Sequence, residues 1–265
     1  MAQAKRSMAL LVSLGTALGV VTAVSASNEP QVAPRRAPVE TLIAEVDLTC
    51  SFFLVDEPAD FRIAAPARDK EKSVLTDFDL FYAAAGDREF SPDRLWTIVE
   101  YGPSIRLGRQ GDVRAIVAYM RGRARFVRLE GGRALFRVEK ACGPVMVGNG
   151  LVPFEEAAKL RGEQTPWDIP FEDGGTATGR VVFLDNEFVQ IAAGFWAIIN
   201  LGAEDGLAVG EQLTVFRKAG AVPPQAVGNI IVIALGPRWA TVKALGSKDS
   251  ILLGDLVRTR QRFRK

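Results

Sequence analysis

From Leu42 onward, apolar runs recur about every eight to twelve residues, and turn-forming residues separate them. That cadence predicts an all-β chain. Runs at 42–48, 51–55, 80–84, 95–99, 113–120, 123–129 and 134–138 predict strands, and 145–153 closes this first series. A second series falls at 179–184, 188–191, 197–200, 212–217, 228–235, 239–245 and 255–259. Val215, Phe216, Ile230 and Val242 are β-branched or bulky and suit a pleated, half-buried surface. Strands this short must hide their edges, which favours small closed barrels over open sheets. The expected architecture is two tandem barrel-like domains, 42–154 and 179–259. Residues 155–178 between them read as a linker, with a short helical turn at 155–161 and then Pro166, Trp167 and Pro170.

The two series repeat one pattern. Thr97 to Gly111 spans 14 residues, as does Thr214 to Gly228. Ala134 to Gly148 and Ala240 to Gly254 are also 14 apart. Gly111 to Ala134 is 23, against 12 from Gly228 to Ala240, so about eleven extra residues are expected in the first copy. Glu130-Gly131-Gly132 lies within them and signals a hairpin turn, which predicts one lengthened hairpin there. An internal duplication accounts for the pattern.

The first 26 residues read as an export signal. Lys5 and Arg6 precede an uncharged apolar run from Met8 to Ala23, and Val24-Ser25-Ala26 offers a cut before Ser27. An uncleaved anchor helix is the alternative, although the run is short for a bilayer span and holds Gly15 and Gly19. Residues 27–41, with Pro30, Pro34 and Pro38, form an extended tether. Removing Lys5 and Arg6 from 33 basic residues leaves 31, equal to the 31 acidic ones. A neutral exported chain argues against nucleic acid as the partner, so any electrostatic attraction must come from local patches. In an oxidising compartment, Cys50 and Cys142 are expected to form one disulfide, with two buried free thiols as the alternative.

Candidate chemistry is sparse. The chain has no His, which excludes His-dependent nucleophilic catalysis and His-containing metal sites. Gly202, Gly206 and Gly210 do not match a phosphate-binding loop; they read as tight turns, as does Gly254. Asp77 with Asp79, Glu204 with Asp205, and the 185–187 triplet read as solvated turns. No catalytic residue, metal or cofactor is expected. Nine arginines between Arg106 and Arg137 face only Asp112 and Glu130. Arg121, Arg123 and Arg125 alternate with smaller or apolar residues, which puts three guanidinium groups on one strand face. That face is the candidate interaction surface; a solvated exterior is the competing reading. Residues 260–265 form a basic tail that would contact anionic lipid or solubilise the chain. If the protein instead binds glycans, an exposed Trp96, Trp167, Trp196 or Trp239 would stack on sugar rings.

Asn200-Leu201-Gly202, Asp205-Gly206-Leu207 with Gly210, Leu213–Arg217, Val227-Gly228 and Gly254-Asp255 together resemble a β module of bacterial envelope proteins. The module occurs in the C-terminal domain of flagellar assembly protein T and beside LysM domains. The first copy, ending in Cys142–Phe154, is similar to the LysM-linked version, with Asn149 in place of the usual Asp. No LysM domain fits in 27–40. The resemblance implies a periplasmic or envelope-associated, non-catalytic protein, with an envelope complex or cell-wall polymer as partner.

Overall fold

The computed structural model describes residues 42–69, 71–92, 94–108, 113–156, 160, 162–171, 177–220 and 222–259. The leader, the tether, Arg109, Gly111 and the basic tail lie outside the described residues. The chain is almost entirely β.

Its first half holds a short helix α1 (Glu45–Thr49) and seven strands. These are β1 (Phe52–Val55), β2 (Ile63–Pro66), β3 (Leu80–Ala84), β4 (Leu95–Arg106), β5 (Arg114–Glu130), β6 (Arg133–Ala141) and β7 (Gly150–Pro153). The second half follows with β8 (Thr178–Leu184), β9 (Gln190–Ile191), β10 (Trp196–Ile199), β11 (Gln212–Arg217), β12 (Gln225–Leu235), β13 (Ala240–Ser247), β14 (Ile251–Leu252) and β15 (Leu256–Thr259). Residues 42–48 were expected as a strand, but a helix forms there. The Asp47 carboxylate accepts from the Ala44 N–H and the Thr49 hydroxyl donates to the Glu45 carbonyl, so local capping wins over alternation. Among the described residues of the expected helical turn at 155–161, none is helical.

The second half is a closed barrel in the order β10-β13-β12-β11-β15-β8. The first half has the matching order, β2-β3-β6-β5-β4-β7. Its two ends meet at a seam, where Arg62 bridges Gly150 and the Ile63 N–H donates to the Asn149 carbonyl at 2.9 Å. The seam recurs residue for residue in the second barrel. Gly148 N–H donates to Ile63 O and Gly254 N–H to Val181 O, both at 2.8 Å. Asn149 Oδ1 accepts from Met146 N–H, and Asp255 Oδ2 accepts from Leu252 N–H, again both at 2.8 Å. An Asn therefore closes this turn as well as an Asp does. The Asp255 carboxylate additionally pairs with Arg217.

The registers correct the expected site of the extra residues. Ile98 pairs with Gly122, as Val215 pairs with Gly228. Gly122 also pairs with Ala141, as Gly228 pairs with Ser247. Gly122, not Gly111, is thus the counterpart of Gly228, and its distance to Ala134 is the same 12 residues. The surplus lies before Gly122, where β4 and β5 run on beyond the barrel. Both glycines sit where a neighbouring strand comes close. A Cβ on Gly122 would lie 2.3 Å from the Lys140 carbonyl oxygen, and one on Gly228 would lie 3.0 Å from that of Gly246. Gly122→Ala is expected to cost about 3 kcal/mol, the upper end for forced overpacking, and Gly228→Ala about 1 kcal/mol. Urea denaturation of both variants checks the order.

Each barrel has its own core. Phe61, Phe81, Trp96 and Phe136 dominate the first; Leu213, Val215, Val232 and Val242 lie in the second. A third cluster joins them. The overhanging β4–β5 hairpin, with β1 paired along β5 from Phe52↔Tyr119 to Val55↔Ile116, forms an arm. Phe52, Leu54, Ala115 and Val117 from this arm pack on Phe183 and Ile198 from the outer face of the second barrel. Thr241 Oγ1 donates to the Phe52 carbonyl at 2.8 Å, and Asn200 Nδ2 to the Leu107 carbonyl at 2.9 Å. Around α1, Ile43 covers Ile231 and Ile233, while Asp47 pairs with Lys243. Part of the linker also lies on the second barrel: Thr165 N–H donates to Gln212 Oε1, and Phe171 meets Phe216 edge-on.

Candidate functional site

Cys50 and Cys142 are bonded, with Cα atoms 5.3 Å apart. The bond ties the residue after α1 to the residue after β6. Beside it opens a cleft of about 390 Å³ with walls from both halves. Arg121 and Lys140, on β5 and β6, give the first wall its charge, and Tyr119 adds an aromatic hydroxyl. Asp185, Asn186 and Trp196, at the end of β8 and the start of β10, form the opposite wall.

The 185–187 turn is not the solvated turn expected from its composition. Asp185 is only 6% exposed, and burial pushes its carboxyl above the ordinary aspartate value. Asn186 and Glu187 both take left-handed backbone conformations, with φ of 49° and 56°. Two such residues in succession, neither of them glycine, mark backbone strain of the kind that gathers at functional sites. Tyr119 is pushed up to about 12, first by burial and then by the negative charges of Glu187 and Asp185. The Trp196 indole N–H is buried and, among the described residues, has no hydrogen-bond partner. Lys243 lies over the face of the same indole, 4.9 Å from its centre. Nothing in the sequence distinguished Asp185 from an ordinary turn acid, because its burial comes from the β5 arm folding over it.

The three arginines do share an outward face of β5, with Gly122, Ala124 and Phe126 turned inward. Each is already engaged. Arg121 Nε donates to Glu100 at 2.6 Å, Arg123 pairs with Glu45 at 3.5 Å, and Arg125 Nε donates to Glu139 at 3.3 Å. Their side chains are 25%, 23% and 37% exposed, and Arg121 and Arg123 also lie over the rings of Tyr119 and Phe154. These contacts brace the arm and α1 and compensate the charge that the run of arginines suggested. Glu139 accepts from both Arg137 and Arg125, which hold its carboxyl below the ordinary glutamate value.

Gly206, Gly210 and Gly254 adopt the left-handed backbone expected of turn residues, with φ of 81°, 87° and 85°. Gly202 does not; its φ is −145°, and it is needed because the 236–238 backbone crosses 2.5 Å from where its Cβ would sit. The four tryptophans separate. Trp96 is 6% exposed in the first core and offers no stacking face. Trp196 is half-buried under Lys243, and Trp167 lies near Gly246 on the linker. Trp239, with Phe53 and Phe154, lines a second groove of about 600 Å³ between the halves, rimmed by Glu155 and Glu156. Among the described residues, no group of three or more Cys, Asp or Glu side chains is placed to hold a metal ion. No family model matches the chain, and no curated protein matches it.

Proposed function

We propose that this chain is an exported, non-catalytic module of the bacterial cell envelope, built by internal duplication of one barrel and used as a structural or assembly component. The observation that carries the reading is the Cys50–Cys142 bond, which ties the α1 segment covering the second barrel to the end of β6 in the first. Such a bond is compatible with an oxidising compartment and agrees with the export signal read at residues 1–26. The common strand order and seam chemistry of the two halves support the duplication. The arm and α1 from the first half, and part of the linker, pack on the second barrel, as suits a part that presents a fixed shape to a partner.

Co-sedimentation of the mature protein with purified sacculi and with membranes, across a salt series, tests the reading. Pelleting with one fraction is expected. Recovery wholly in the supernatant with both, at every salt concentration, would overturn an envelope role.

A second reading has one observation in its favour, the groove that joins Trp239 with Phe53 and Phe154. An aromatic-lined groove suits sugar rings. Quenching of tryptophan fluorescence by cell-wall glycan fragments, lost in Trp239→Ala, would favour a glycan-binding protein over a purely structural one.

A further inference from the structure

The cleft beside the disulfide carries unmet polar capacity of both signs. Asp185 is buried at one wall, within reach of the Arg121 charge but in no ion pair among the described residues. Lys140 stands exposed on the opposite wall with no ion pair among the described residues. The half-buried Tyr119 supplies aromatic surface beside these groups. Arg121 adds positive charge beside Lys140, although its Nε is committed to Glu100.

We propose that this cleft binds a small zwitterion, a molecule that carries an ammonium and a carboxylate a few bonds apart. The ammonium would donate to Asp185. The carboxylate would accept from the Lys140 ammonium. An amine alone would leave Lys140 unanswered. A carboxylate alone would answer Lys140 and leave the Asp185 carboxylate unanswered. The volume, at the lower end for ligand pockets, suits an amino acid or the free end of a short peptide. The inference does not rest on the envelope role, because the cleft and its charges are the same wherever the protein resides.

Free amino acids and peptides carrying the same two groups share this chemistry, and the test separates them. Isothermal titration of the full chain would use D-alanine, diaminopimelate and a diaminopimelate-containing tripeptide, with propylamine and propionate as single-charge controls. At least one zwitterion is expected to bind about tenfold or more tightly than either control, a difference near 1.4 kcal/mol. Preference for the tripeptide over the free acids would identify a peptide end as the ligand. Asp185→Asn and Lys140→Gln are each expected to weaken binding about tenfold. Asp185→Asn should leave the melting temperature unchanged or raised, since it removes a desolvated carboxylate; a purely structural Asp185 would show a lowered one. Binding by none of the three zwitterions, equal binding of the controls, or full binding by Asp185→Asn would overturn the proposal.

Discussion

Replacing Cys50 or Cys142 by Ser is expected to lower the melting temperature by about 10–15 °C, as is reduction of the native bond. The bond closes a loop across a sequence separation of 92 residues. In the chain-entropy view, such a cross-link stabilises by about 4–5 kcal/mol by restricting the unfolded chain. In a chain of this size each 1 kcal/mol corresponds to about 2–4 °C. The location argues for a loss near the full amount. Cys50 lies between α1, which helps cover Ile231 and Ile233, and β1, whose Phe52 packs on Phe183. Without the cross-link, the only covalent route between that cover and β6 is the whole intervening chain. Thermal unfolding followed by circular dichroism, with and without reductant, checks this. The serine variants should melt together with the reduced wild type and well below the oxidised protein. Superimposable melts in all four samples would show that the bond contributes nothing to the fold.

Barrel strands were legible in the sequence where one face meets a core and the other meets water. β3 alternates in this way and falls at the expected 80–84; β11, buried on both faces at 213–216, still falls at the expected 212–217. The seam turns were legible as glycines because left-handed backbone selects that residue. Tertiary overhang was not legible. Residues 113–120 and 123–129 read as two strands because Gly122 interrupts the apolar run; it is instead a mid-strand residue whose missing side chain admits the Lys140 carbonyl. β2 was missed because its Ile63-Ala64-Ala65-Pro66 sequence carries little β-branched bulk and ends in proline. One unread signal did announce the contact between the halves. Residues 197–199 and 230–233 are continuously apolar, without alternation, and such runs belong to strands buried on both faces. Ile199 and Val232 lie in the second core, while Ile198 and Ile231 lie beneath the covers contributed by the first half. The paired arginines fail as a free cationic face for a related reason. The acids that answer them, Glu45, Glu100 and Glu139, come from three separate elements, so counting charge along residues 106–137 alone could not include Glu45, Glu100 or Glu139.

Phe52→Ala should be the most disruptive single substitution in the contact between the halves, costing about 3–5 kcal/mol. The ring is 1% exposed and meets Tyr119 and Phe183 edge-on, with centroids 5.8 and 5.5 Å away. Edge-on aromatic pairs add about 0.5–1.5 kcal/mol beyond the area they bury. Phe52 touches neither barrel core, so its loss acts on the joint alone: the arm loses its anchor, and Phe183 and Ile198 lose their cover. Differential scanning calorimetry should therefore show more than a shifted peak. The single transition of a locked body should broaden or divide in two, because each half keeps its own buried cluster while the coupling between them weakens. Phe52→Leu, which keeps most of the volume, should cost less than about 1.5 kcal/mol and preserve one transition. An alanine variant that melts as one sharp transition near the wild-type temperature would mean that the hydrogen bonds of Thr241 and Asn200, with the Asp47–Lys243 pair, suffice to lock the halves, and that the arm's apolar surface is incidental to it.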